Sequence, residues 1–435
     1  MSDTELPLSG HPFKIRDYRL IWLARFINVA ATSAMVVVIG AQTYQLARTQ
    51  YGMNEAQASF ILGLLGLAQF VPFLILTPLA GMLADRMDRR HLAAAACLAD
   101  LVIAVVLALA NFSDALSLPL LFTLAAAYGS ARVFMGPAMS AITPNVVPAE
   151  LLPKAVATSA IAWQSAAVIG PALGGLLLAQ NAALPYEFSA VMLGLGVITL
   201  LAIRHRAPPA AAKEPPLKLM GDGAKFVWRE RFLLGCVTLD LFAVLLGGAT
   251  AMLPAFAYDV LHVGAEGLGI MRGAPALGSM VVAIWLGFRP ITNNVGAKML
   301  GAVAVFGLAT LIFGLSTSFP LSLAMLALLG AADSISVFVR NTLVQINTPD
   351  SMRGRVSAIS GLAISASNEL GEMQSGLLAG LLGRLGLLGA ASAMGAVVIG
   401  GAGAILVTAV WAVIFPELLR AKTFAPQYRE KEPLP

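Results

Sequence analysis

Charge is scarce in this sequence. Only 12% of its 435 residues are Asp, Glu, Lys or Arg, while 58% are hydrophobic; a soluble domain carries roughly a quarter charged residues. That deficit excludes an ordinary water-soluble globule and points to the membrane. Cysteine is nearly absent. Cys97 and Cys236 cannot build a disulfide scaffold, no C-x-x-C is present, and both read as small apolar packing residues inside helices. The four histidines (His11, His91, His205 and His262) are scattered over loop ends without ligand spacing, so no metal site is expected. No G-x-x-x-x-G-K-[ST] occurs, which excludes a nucleotide-driven motor within the chain. Gly267-x-Gly269-xxx-Gly273 is a near miss to a dinucleotide loop, but it opens a membrane helix and reads as helix packing. Period-two alternation is missing too. Segments such as 60–83 and 92–110 are apolar on all faces, which excludes barrel strands and leaves helices to satisfy the backbone. Asp3 and Glu5 are acidic, and the first apolar run, from near Leu20, is longer than a signal h-region, so no cleaved signal is expected.

What is present suits about twelve spans of roughly 20 to 25 residues. The apolar pattern predicts helices over 18–46, 55–82, 91–111, 115–142, 153–179, 184–204, 231–260, 264–290, 296–316, 318–346, 353–384 and 387–415. With the N-terminus placed in the cytoplasm, 22 of the 28 Lys and Arg fall on cytoplasmic segments. Only Arg48 and Arg384 fall outside, and Arg25, Arg132, Arg272 and Arg340 lie within helices. A wrong span count would invert every later loop, so this bias places both termini in the cytoplasm. It also accounts for the net charge of +5, and no nucleic-acid partner is expected.

The expected fold is therefore an all-α integral membrane protein with twelve transmembrane helices in two pseudo-symmetric six-helix bundles. The N-terminal bundle covers 1–204, a cytoplasmic linker 205–230, the C-terminal bundle 231–416 and a cytoplasmic tail 417–435. The linker begins with Pro208, Pro209, Pro215 and Pro216 and continues as a basic amphipathic segment, Leu217 to Arg231, expected to lie on the anionic cytoplasmic leaflet. The two bundles carry a repeat. The stretch from Lys154 aligns without gaps on that from Arg355, setting Gly170 on Gly371 and Gly175 on Gly376, each after a Thr-Pro (Thr143-Pro144 and Thr348-Pro349). Internal repeats of this kind place a substrate site at the midplane between the halves and imply alternating access.

Gly81-Met-Leu-Ala-Asp85-Arg86-Met-Asp88-Arg89-Arg90 joins the second and third helices. Gly81 is expected to allow close helix approach, and Asp85, among Arg86, Arg89 and Arg90, to form a charge-assisted latch on the cytoplasmic face. At these residues the chain resembles the major facilitator superfamily, whose corresponding loop reads G-x-L-A-D-R-x-G-R-[RK]; Asp88 stands where the family usually has Gly. Arg132-Val-Phe-Met-Gly136 is similar to the R-x-x-x-G motif of proton-coupled members. Gly170-Pro171-Ala-Leu-Gly174-Gly175 is similar to the helix-five motif of exporters. The segments 11–27, 81–90 and 348–359 look like the branch containing the enterobactin exporter and macrolide-efflux proteins. That resemblance implies secretion from the bacterial inner membrane driven by inward proton flow, with the proton gradient as the energy source and no cofactor.

Ionisable groups at membrane depth cost several kcal/mol unless paired or wetted. Asp100, Asp240, Asp333, Glu369 and Glu372 stand at such depths. By family analogy, helices one, four, seven and ten line the cavity, so Arg25, Arg132, Asp240, Asp333 and Arg340 are expected to face it. Asp333 and Arg340 are seven apart on one helix face, too far to pair directly. Glu369 and Glu372 occupy one side of the eleventh helix, and adjacent carboxylates disfavour double ionisation, as suits a proton carrier. Asp100 reads as a brace on a peripheral helix, and Arg272 and Arg25 stand near membrane faces where they can snorkel.

The resulting expectation is a monomeric secondary transporter, not an enzyme. Its partners are the lipid bilayer, protons and an amphipathic small molecule such as a siderophore or drug. A proton-coupled uptake symporter and a lysophospholipid flippase of the same fold are the competing readings.

Overall fold

The computed structural model describes residues 11–204, 216–385 and 391–425. Among the described residues every regular element is helical: α1 (Arg16–Thr49), α2 (Glu55–Arg86), α3 (Arg89–Phe112), α4 (Leu118–Val146), α5 (Leu152–Gln180), α6 (Leu184–Leu201), α7 (Pro216–Arg229) and α8 (Arg231–Leu246). A single turn, α9 (Leu253–Ala255), follows, and then α10 (Gly264–Phe288), α11 (Val295–Leu315), α12 (Phe319–Ile346), α13 (Asp350–Arg384), α14 (Ser392–Ile414) and α15 (Pro416–Arg420). Eleven helical segments among these are long and apolar enough to cross a membrane. The expected eleventh span, α13, is not one of them. It has the length, at 35 residues, but its serines together with Asn368, Glu369 and Glu372 dilute its apolar character.

The chain divides into two compact units, Met1–Ile39 with Val71–Lys213, and Gly40–Phe70 with Glu214–Pro435. The division cuts through α1 and α2, whose joined ends belong to the second unit. Glycine explains the attachment. Gly376, Gly380 and Gly383 recur along one face of α13, and each meets α2. A Cβ built on Gly63 would stand 2.9 Å from the Gly376 Cα, one on Gly380 would stand 3.0 Å from the Phe60 Cβ, and one on Gly383 would collide with Ala56. Small residues let two backbones touch in a membrane, where dispersion rather than the hydrophobic effect holds helices together.

The first unit uses the same device between α5 and α1. Gly170 lies against Ala30 and Gly174 against Ala34, one helical turn apart on both helices. The Tyr18 hydroxyl donates to the Ala155 carbonyl (2.8 Å) and the Trp22 indole to that of Thr158 (2.9 Å), fixing the register. In the second unit Gly371, the repeat equivalent of Gly170, lies against the Val244 and Leu245 carbonyls of α8. In each unit, therefore, the fifth helix of a half meets the first helix of that half through an equivalent glycine. Cys97 and Cys236 are both buried and unbridged, and the Cys97 thiol donates to the Leu193 carbonyl at 3.4 Å.

The span 231–260 is broken rather than continuous. After α8 comes Gly247-Gly248, a 3-10 turn (Ala249–Met252), α9 and a π turn (Phe256–Val260). The glycine pair permits the break, and packing enforces it: a Cβ on Gly248 would overlap the Gly371 carbonyl, and one on Gly247 would overlap the Phe306 ring.

Two expectations outside the bundles change. The amphipathic linker helix forms as α7, but it docks on α13 rather than simply resting on the leaflet. Gly223 approaches the Arg355 carbonyl, Asp222 pairs with Arg355 at 3.1 Å, and Val227 enters the unit's core, while Trp228 is 76% exposed. The tail also begins inside the fold. Leu418 on α15 is fully buried against Gly235 and Gly296, and the Gly296 N–H donates to the Ala421 carbonyl at 2.9 Å. Residues beyond 425, like the proline-rich start of the linker, lie outside the described residues.

Candidate functional site

In the first unit Arg132 projects from α4 between two aromatic faces, 5.2 Å from the Phe73 ring centre and 5.7 Å from that of Tyr128. This cation–π seating holds a charge at membrane depth without neutralising it. Asp100 of α3 is 2% exposed and has a buried oxygen without a hydrogen-bond partner among the described residues. Arg25 is half-buried on α1.

The loop between α2 and α3 is built differently from the expectation. A Cβ at Gly81 would have nothing within 4 Å, so the close approach expected there is not made. Asp88, the departure from the family pattern, is the organising residue. Its carboxylate caps α3 by accepting the Arg90 N–H (3.0 Å) and pairs with the Arg90 guanidinium (2.7 Å). The Arg90 side chain holds the Asp88 carboxyl below the usual range, burial opposing it. Arg90 also donates to the Ile203 carbonyl beyond α6, and Arg89 to that of Ala84 in α2 (3.3 Å). Arg86 is exposed, and the side chain of Asp85 lies outside the described residues.

The motif on α5 is a packing element. Gly170, Pro171, Gly174 and Gly175 are all buried; Gly170 and Gly174 make the contacts with α1 described above.

In the second unit the expected site residues separate into two groups. Asp240 of α8 and Arg340 of α12 form an ion pair, with side chains 7% and 2% exposed. Cys236, Leu239, Val339 and Leu343 around them are equally buried. Asp333, two turns before Arg340, is half-buried. The second group centres on α13. Glu372 accepts from Arg272 of α10 at 3.3 Å and from the Thr250 hydroxyl at 3.4 Å, and Arg272 also donates to the Thr250 carbonyl at 3.1 Å. Both side chains are about a quarter exposed. Glu369, one turn earlier, is 8% exposed. Arg272 therefore does not snorkel. It bridges α10, the broken segment and α13.

A third cluster escaped the sequence altogether. At the junction of α1 and α2, Tyr44 donates to Asp259 in the π turn, and Arg48 pairs with Asp259 at 3.3 Å. The Tyr44 and Tyr258 rings stack nearby, 6.5 Å apart. Glu55 accepts the Ala393 N–H of α14 at 3.2 Å. The signal available was Asp259 at the end of a span, but nothing in one dimension joins it to residue 44 or 48.

The profile of the Major Facilitator Superfamily matches residues 21–371. The chain belongs to that superfamily. Among its relatives, the enterobactin exporter EntS of Citrobacter koseri is 28% identical over 382 residues, 87% of each chain. That of Escherichia coli O1:K1 is 27% identical over 425 residues, 97% of this chain and 96% of the other. Solved superfamily structures share the fold at low identity. The POT family transporter PepTSo gives a TM-score of 0.73 at 14% identity, covering 93% of this chain and 99% of that one. A D-xylose–proton symporter gives 0.68 at 14%, covering 94% and 99%. As a member of the Major Facilitator Superfamily the chain is a multi-pass secondary transporter of small molecules, not an enzyme.

Proposed function

We propose that this transporter exports an amphipathic small molecule of the siderophore or drug class from the cytoplasm, by alternating access and in exchange for protons. The observation that carries the reading is relatedness to enterobactin exporters along nearly the whole chain, joined to a helix-five Gly-Pro motif seated on α1. The Lys and Arg bias supports two cytoplasmic termini in a bacterial inner membrane, and the protein is taken to act as a monomer of two six-helix bundles.

Within that reading Glu372 is the proton-carrying group. It is partly accessible and paired with a single cation, Arg272, so protonation would free Arg272 and weaken the joint with the broken segment. Asp240 is better suited to bracing, since its pair with Arg340 is enclosed. Arg25 and Arg132 of the first unit, and separately Asp333 of the second, are assigned to substrate contact. The Tyr44–Asp259–Arg48 cluster is assigned to closing the outer end, and Asp88, Arg89 and Arg90 to the cytoplasmic end.

Two measurements test this. Mass spectrometry of growth medium from deletion and overexpression strains should reveal a compound that falls and rises with the protein; its accumulation in the medium of the deletion strain would mean uptake instead. In proteoliposomes, an imposed pH gradient should drive movement of that compound, and indifference to the gradient would remove proton coupling.

A further inference from the structure

Where α2 begins and α13 ends, the second unit has an open-sided pocket of about 230 Å³. Its lining includes Asn54, Gln57, Phe60 and Arg384. No carboxylate is in that lining. The nearest acid in sequence, Glu55, is buried and turned toward α14, where it accepts the Ala393 N–H.

The polar side chains in the lining, Asn54, Gln57 and Arg384, all carry N–H donors. Asn54 and Gln57 form a reciprocal cap on α2: the Asn54 side-chain oxygen accepts the Gln57 N–H (2.9 Å) and the Gln57 oxygen accepts the Asn54 N–H (3.0 Å). Each amide oxygen accepts from a backbone N–H, which assigns the oxygen and nitrogen ends of both amides. The two NH2 groups are left as donors. Arg384 supplies a third. Its guanidinium lies over the Phe60 ring, 5.9 Å from the centre, and it has no ion pair among the described residues. Arg48, the other arginine on this side, is satisfied by Asp259.

The neighbouring surface is apolar. Leu377, Leu381 and Leu385, spaced like Arg384 along the outward side of α13, are 38%, 53% and 60% exposed. Arg384 ends that apolar ridge at the level where the α2 span starts. Arginine at such a level, above exposed leucines, matches a phosphodiester with acyl chains beneath it.

We propose that this cavity binds the phosphate headgroup of an anionic phospholipid, with Arg384, Asn54 and Gln57 donating to its oxygens and the acyl chains running along Leu377 and Leu381. The site is independent of the transport assignment, since none of its residues belongs to the charge clusters described above.

The test uses the purified, delipidated full-length protein and native mass spectrometry with three probes: phosphatidylglycerol, diacylglycerol and inorganic phosphate. Phosphatidylglycerol should bind, and diacylglycerol and phosphate should bind far more weakly. Arg384→Gln should weaken phosphatidylglycerol binding about tenfold, as loss of one charge-assisted contact does. Gln57→Glu keeps the capping oxygen while replacing the donor with a negative charge, so it should abolish binding without changing the melting temperature. Unchanged phosphatidylglycerol binding in both variants would overturn the proposal. So would diacylglycerol binding as tightly as phosphatidylglycerol. Phosphate alone binding as tightly would replace the lipid by a free anion.

Discussion

Asp240 on α8 and Arg340 on α12 lie 100 residues apart in sequence and form one ion pair in the core of the second unit, with side chains 7% and 2% exposed. A charge at that depth is tolerable only while its partner is charged too. The pair therefore acts on stability first and on transport through it.

Asp240→Asn leaves the Arg340 cation buried without a counter-charge. The expected loss is about 3–5 kcal/mol, read as a lowered melting temperature in detergent. Asp240→Leu with Arg340→Met should recover most of it, because an apolar pair of similar volume carries no desolvation cost. Full stability in Asp240→Asn would disprove the bracing role.

Glu372→Gln should behave in the opposite way. Its pair with Arg272 is partly open to water, so stability should change by about 1 kcal/mol or less. Substrate movement should lose its dependence on an imposed pH gradient while substrate exchange at equal pH persists. A gradient-driven rate equal to wild type would remove Glu372 as the proton carrier.

The α2–α13 seam predicts a steric effect with an internal control. Gly376→Val must displace the Gly63 backbone, so it should cost about 1–3 kcal/mol or more. A Cβ at Gly81 meets nothing within 4 Å, and Gly81→Ala should be neutral or slightly stabilising through helix propensity. Equal tolerance at both positions would show that the seam is not close-packed.

Asp88 gives a pH dependence. Its folded-state carboxyl is held low by Arg90, so its contribution is present above the unfolded value of about 4 and is lost as pH falls through the lowered one. Asp88→Asn keeps an N-cap but removes the charge. The stability difference between the two proteins, about 1 kcal/mol or less at this partly exposed site, should be present at pH 7 and vanish in acid. A difference that grows as pH falls would contradict the pairing.

Much of this architecture can be read from one dimension, and the reasons are local. An apolar run of 20 residues must be a helix in lipid, whatever surrounds it, and eleven of the twelve expected spans appear among the described residues as helices apolar enough to cross. The Gly170 and Gly371 repeat, visible as an alignment, reappears as two equivalent contacts, of α5 on α1 and of α13 on α8. Asp88 was legible too, since Asp before an apolar helix is an N-cap signal, although the family pattern drew attention to the neighbouring Asp85. Charge partners were not legible. Arg340 stood nearest in sequence to Asp333, yet it pairs with Asp240, and Glu372 takes Arg272 from a helix a hundred residues earlier.

The sequence by itself determined a membrane-embedded helical transporter, because lipid penalises every unsatisfied backbone group and so leaves a hydrophobic chain few choices. Tertiary structure alone decided which buried charges neutralise one another, where Gly247 and Gly248 break a span, and that α2 joins α13. Those outcomes depend on distances of a few ångströms between helices far apart in the chain. No periodicity within a single helix encodes them.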